Sequence, residues 1–230
     1  MSKPEPDVSR CGIFGSPAPR ARMASQARDG YSMGRETQQL EKAPGSQGAG
    51  MSEAEWQTRV ELAACYRLAA HYRMTDIIYT HITARVPGED GHFLINPYGL
   101  MFEEVTASNL VKIDLDGNPI GDSDYPVNLA GYVIHSAIHR HRNDAHCIMH
   151  THTTAGMAVA CLEDGLSHDN FYGAFLPHVA YHDFQGVTVD LSEQEDLVSS
   201  LGQSDAMILR SHGLLSCGPD VARAFSTLWT

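Results

Sequence analysis

Three histidines constrain this chain more than any other feature: His150 and His152 in one apolar segment, and His212 about sixty residues on in Ser211-His212-Gly213. Residues 145–152 read as a strand, and positions i and i+2 of a strand point to one face. A distant loop that carries His212 to that face completes a set of three neutral imidazole donors. Such a set is the usual protein contribution to an open catalytic Zn²⁺ site, whose remaining positions go to water or substrate. The chain is therefore expected to bring a strand and a far-off loop to one place.

The 230 residues are enough for one sizeable core and a tail. Residues 1–50 are rich in Gly, Pro, Ser, Arg and Gln and show no hydrophobic periodicity, so this segment reads as disordered. It holds seven Lys and Arg against five acids, while the whole chain has a formal net charge of −12. The folded part is thus strongly acidic, which argues against a nucleic-acid partner. Met51 stands where the domain begins and reads as the natural start, which leaves 51–230 as the folded domain. No apolar run approaches a membrane span, and no secretory signal is recognisable. The cysteines, Cys11, Cys65, Cys147, Cys161 and Cys217, are odd in number and form no CxxC pair. They read as reduced thiols of a cytoplasmic protein.

From Ser52 the pattern turns helical, with a capping-box spacing to Glu55 and apolar residues recurring through Ala69. Residues 77–85 read as a strand with a tight local turn. Phe93-Leu94-Ile95 and 111–115 are short strands between Gly, Asn, Asp and Pro turn signals. Thr106-Ala107-Ser108 opens a brief helical turn. Residues 129–142 suit a helix with Leu129, Val133, Ala137 and Ile138 on one side. After the histidine strand come a helix over 153–162, strands at Val179-Ala180-Tyr181, Val187-Thr188-Val189 and 206–210, and a helix over 192–201. A final helix from Asp220 has Ala222, Phe225, Leu228 and Trp229 as its apolar side. It reaches Thr230 without a C-cap signal, which reads as a C-terminal truncation that leaves Phe225 and Trp229 less covered.

Six segments carry a family resemblance: His92–Leu100, Val105–Ile113, Asn128–Tyr132 running into His135-Ser136-Ala137-Ile138-His139, Met149–Thr153, Val179–Asp183 and Arg210–Leu214. Together and in this order they resemble the class II aldolase/adducin family, closest to its adducin-like branch. The resemblance implies a three-layer α/β/α sandwich on a mixed, mostly antiparallel sheet. It also implies a homo-oligomer, since the family's sugar-phosphate aldolases are tetramers with active sites between subunits. In those enzymes three histidines hold Zn²⁺, which polarises the substrate's carbonyl and enol oxygens. The matching ligands here are His150, His152 and His212.

Other family positions depart from the pattern. The glutamate base falls on Gly131, which carries no acid or base. The glycine-asparagine turn of the phosphate cradle becomes Thr80-His81, its Thr-Gly pair becomes Tyr98-Gly99, and its paired hydroxyl residues fall near Leu129-Ala130. His182 and Asp183 are weak substitutes for the catalytic base, and Glu103 and Glu104 are substitutes only by default. The resemblance thus implies a metal-dependent protein acting on a small hydroxy- or oxo-compound by carbonyl polarisation, in aldolase-like cleavage or a related enolate-forming step. Zn²⁺ is the favoured metal for three neutral nitrogens, with Fe²⁺, Mn²⁺ and Co²⁺ also compatible. Two other classes remain open: a non-catalytic, adducin-like self-association or cytoskeletal module, and an iron-dependent oxygenase. Actin binding is not expected, because in adducins it depends mainly on basic tail segments and this chain has no lysine-rich tail. His135 and His139, four apart on one helix face, offer a second metal pair or a structural one. His141 and His146 read as a solvated helix end and turn, and Tyr181 as core.

Overall fold

Strand pairing through the centre of the chain decides the architecture, in a computed structural model that describes residues 50–176, 178–186 and 193–230. The tail 1–49, the strand expected at Val187-Thr188-Val189 and the start expected at Ser192 lie outside the described residues. The elements run α1 (Glu53–His71), β1 (His81–Arg85), β2 (His92–Ile95), β3 (Val111–Asp114), α2 (Leu129–His141), β4 (Cys147–Thr151), α3 (Thr154–Ala160), β5 (Val179–His182), α4 (Glu193–Leu201), β6 (Ala206–Leu209), β7 (Gly213–Gly218) and α5 (Val221–Trp229). The strands form one seven-stranded sheet in the order β3-β2-β1-β4-β7-β6-β5. Every pairing is antiparallel except β5 with β6. Helices α1 and α5 pack together on one face, against β1, β4 and β7. Helices α2 and α4 pack together on the other, against β1 and β5. This is the three-layer, mostly antiparallel α/β sandwich expected from the sequence.

Two cores follow from the alternation of side chains across the sheet. On the α1 and α5 face, Cys147 and Met149 of β4 join Leu62, Tyr66 and Ala224. On the α2 and α4 face, Ile148 joins Ile134, Ile138, Leu197 and Leu215. His150 follows Ile148 at the next alternate position and so belongs to the α2 face.

Helix starts obey their caps. Ser52 accepts from the Glu55 amide, Asn128 from Gly131, Thr153 from Gly156 and Asp220 from Arg223. Several boundaries differ from the sequence expectation. Strand β1 begins only at His81, because Ile77 takes a left-handed φ of 49° and breaks the extended run. A 3-10 turn forms at Phe102–Glu104, where the Glu104 carboxylate accepts from the Met101 amide, and Thr106–Asn109 is a plain turn. In α5 Ala222 is exposed, and Ala224 and Thr227 take the buried positions instead. Trp229 is half exposed, at 51%. Strand β7 was not expected at all. It lies beside β4 in the middle of the sheet. Among the described residues no helix is long and apolar enough to cross a membrane.

Candidate metal centre

His150 is the penultimate residue of the fully buried β4, His152 follows just past the strand, and His212 sits in the three-residue turn between β6 and β7. The turn is tight: the His212 amide donates to the Leu209 carbonyl at 3.0 Å, and Ser211 adopts a left-handed φ of 56°. Antiparallel pairing of β4 with β7 sets Thr151 opposite Leu214, which brings the turn to the end of the histidine strand. Gly213 makes the approach possible. A Cβ there would lie 2.6 Å from the Thr151 carbonyl oxygen and 2.8 Å from Cδ2 of His152. One ligand nitrogen from each of the three histidines can be chosen so that all lie within 4.8 Å of one another. His150 is buried, whereas His152 and His212 are half-buried, so the cluster opens on one side.

Hydrogen bonds orient two of the rings. Nδ1 of His150 donates to the Leu214 carbonyl at 2.9 Å, and Nδ1 of His152 donates to the Asp76 carboxylate at 3.0 Å. With both Nδ1 atoms protonated, the two Nε2 atoms carry lone pairs, and they face each other at 2.9 Å. Two lone pairs at that separation repel unless a cation lies between them. A proton is disfavoured, because burial first, and then the neighbouring histidines, push the His150 imidazole well below its ordinary range. His212 is lowered to about 4, again mainly by burial and then by His152 and His182. Neutral nitrogens with fixed tautomers, a carboxylate behind one ring and a carbonyl behind another suit a divalent metal.

Most of the remaining sequence candidates serve other contacts or face solvent. His182 is buried on β5, with its Nδ1 3.0 Å from the Ser200 hydroxyl. Asp183 is almost wholly exposed and pairs loosely with Arg210 at 3.7 Å. Tyr181, expected as core, is only partly buried; its hydroxyl accepts from the Leu166 amide, and the Arg210 guanidinium stacks on its ring. Glu103 and Glu104 are the exposed residues of a 3-10 turn whose Phe102 is buried. His135 and His139 do not form a second metal cluster: the Thr83 hydroxyl sits between them, 2.8 Å and 2.9 Å away. His141 and His146 are exposed, as expected. Thr80 and His81 lie buried at the start of β1 rather than in an open turn. Asp76 escaped sequence reasoning, since a lone acid in a loop after a helix looks like any solvated charge. An apolar cavity of about 450 Å³ lies between α3, α5 and the β6–β7 strands, but its lining includes none of the three histidines.

Comparison with known proteins places the chain by sequence and fold. The Class II Aldolase and Adducin N-terminal domain matches residues 60–230. A solved aldolase II superfamily protein from Pseudomonas syringae is 53% identical, with a TM-score of 0.77 over 80% of this chain and 75% of that one. A Pseudomonas aeruginosa protein named "Putative aldolase class 2 protein" is 50% identical over 81% of this chain and 72% of its own length. Rat alpha-adducin is 45% identical over 79% of this chain, a match that spans 25% of the adducin. The chain belongs to the class II aldolase and adducin family.

Proposed function

We propose that this protein is a metal-dependent enzyme that acts on the carbonyl of a small hydroxy- or oxo-compound, in aldolase-like cleavage or a related enolate-forming step. His150, His152 and His212 would hold the metal, with Zn²⁺ favoured. The observation that carries the reading is the pair of Nε2 lone pairs facing each other at 2.9 Å, each fixed by a hydrogen bond on the far side of its ring. A bound divalent ion would supply Lewis-acid polarisation of the carbonyl oxygen. The chain's own groups do the rest. Asp76 and the Leu214 carbonyl hold the rings in the donor tautomer, and the half-buried His152 and His212 leave one side open to substrate. The burial of Thr80 and His81 at the entry to β1 supports a substrate without a phosphate. Family likeness, together with the exposed ring of Phe171 set edge-to-face against the exposed Tyr172 and Phe175, supports a homo-oligomer, tetrameric by resemblance; a cytoplasmic location is part of the same proposal.

Metal analysis of protein purified without chelator tests this reading. About one zinc per chain is expected, and His150→Ala or His212→Ala is expected to abolish it. Full metal retention in these variants overturns the ligand assignment. Bound iron would turn the reading toward the oxygenase, and no metal toward the adducin-like module.

A further inference from the structure

Where the chain needs a positive φ it uses glycine, with three exceptions among the described residues: Arg73 at 56°, Ile77 at 49° and Ser211 at 56°. Side chains of L residues crowd the backbone in that region, and a β-branched one crowds it most. The exceptions gather at one place. Ser211 precedes His212, Ile77 follows Asp76, and Arg73 lies three residues before Asp76. All three side chains are exposed, so burial does not offset the strain.

The segment that carries Asp76 is fixed at both ends and lightly held between them. Helix α1 closes with the Met74 amide donating to the Ala69 carbonyl at 2.8 Å and the Arg73 amide donating to the Ala70 carbonyl at 2.9 Å. That is a Schellman ending, with Arg73 at the position where glycine is usual. Met74 then enters the core beneath α1 at 4% exposure, and Thr80 is buried at the entry to β1. Between these anchors, residues 75–80 make two hydrogen bonds among the described residues. The Tyr79 amide donates to the Asp76 carbonyl at 2.9 Å, and the Asp76 carboxylate accepts from His152 at 3.0 Å. The first of these closes a four-residue turn with Ile77 at its first central position. A positive φ there and none at Ile78 match the signs of a type II′ turn, which calls for glycine at that position. The residue present is a β-branched one, 59% exposed.

Neither backbone preference nor burial favours this form of the turn. The contact that opposes its strain is the one between Asp76 and His152. We infer that the turn 76–79 is a strained latch on the metal centre, with Ile77 as the positioning residue that sets how firmly Asp76 engages His152. This rests on the metal reading above. Closed, the turn keeps the carboxylate on Nδ1 of His152. When that contact is lost, Ile77 relaxes to a negative φ and the carboxylate withdraws into water. A His152 ring fixed by zinc favours the closed turn. By reciprocity, whatever favours the closed turn tightens zinc by the same factor. A residue at 77 that tolerates a left-handed φ therefore strengthens zinc binding without touching the metal.

Zinc affinity in a chelator competition and hydrogen exchange of the Tyr79 amide test this. Ile77→Gly and Ile77→Asn share a tolerance of the left-handed φ, and each should tighten zinc by about 5-fold. Ile77→Val, as strained as the parent, should not. In an Asp76→Ala background Ile77→Gly should leave zinc affinity unmoved, because the gain runs through the carboxylate. Unchanged affinity in Ile77→Gly, or the same tightening with and without the Asp76 carboxylate, overturns the latch. In metal-free protein the Tyr79 amide should exchange faster in Asp76→Ala than in the parent, and zinc should slow it in the parent. Equal exchange in Asp76→Ala and the parent overturns the latch whether or not zinc binds. A parent protein that binds no zinc overturns the metal reading and the coupling to it, while the metal-free exchange still decides whether Asp76 holds the turn shut.

Discussion

At the scale of single residues, the groups behind the candidate ligands matter as much as the candidate ligands. The Asp76 carboxylate holds the Nδ1 proton of His152 and so keeps Nε2 free. Removing such a partner typically weakens metal affinity by about 10- to 100-fold. Asp76→Asn is therefore expected to weaken zinc binding by that factor in a chelator competition while leaving the circular dichroism spectrum unchanged. Gly213 is equally exposed to test. Its hydrogen faces the Thr151 carbonyl and the His152 ring, where a methyl group would have to push β7 away from β4. Gly213→Ala should lower both the melting temperature and the zinc content. The three histidines were picked out by type and spacing together with the family resemblance, and the structure brings them together as a candidate ligand set. Asp76 was not picked out, because the contact joins a loop near residue 76 to a strand end at 152, and no local pattern reports such a separation.

At the scale of elements, α1 is pinned to the β2–β3 hairpin by a buried charge cluster. Glu55 is 1% exposed, and its carboxylate accepts from Arg59 at 2.9 Å and from Lys112 at 2.9 Å. Lys112 also reaches Glu89 at 3.0 Å, and Arg59 donates to the Leu110 carbonyl at 2.7 Å. Breaking a buried pair by deleting one partner leaves the other charge uncompensated and costs about 3–5 kcal/mol. Glu55→Ala is expected to destabilise the protein by roughly that amount in urea unfolding, and a loss under 1 kcal/mol would show that water enters the cluster. The sequence read Glu55 only as a capping residue. The Ser52 hydroxyl does accept from the Glu55 amide, but the Glu55 side chain turns inward to Arg59 and Lys112. Helical periodicity locates α1, whereas the partner of its buried acid comes from β3, 57 positions away. Strand β7 was missed for a related reason: Gly213-Leu214-Leu215-Ser216-Cys217-Gly218 is short, glycine-bounded and nearly continuous in apolar residues. Such a run becomes a recognisable strand only between two neighbours that cover both of its edges.

At the scale of the whole molecule, the buried imidazoles give stability a characteristic pH dependence. His135 and His139 are pushed well below the ordinary histidine range, first by burial; the neighbouring His139 and His150 add to this for His135, and Arg85 and His146 for His139. His81 and Thr83 of β1 face the same pair. In the folded state both stay neutral as the pH falls through about 6.5, whereas the unfolded chain takes up protons there. The unfolded state then binds more protons, so stability falls as the medium becomes acidic. The loss amounts to about 1.4 kcal/mol per pH unit for each such group. Metal-free protein should therefore unfold at clearly lower urea concentration at pH 5 than at pH 7.5, and His139→Gln should flatten that slope. A pH-independent midpoint would show that these rings are solvated. By itself the sequence determined the family, the layered fold and the three candidate ligands, because periodicity, turn residues and motif order are local properties that survive without coordinates. Only the tertiary structure decided that His81 fills the space beside Gly131, that Asp76 backs His152, and that His135 and His139 share Thr83 rather than a metal. Each of these depends on which atoms meet across the sheet and α2, and packing, not spacing along the chain, sets those distances.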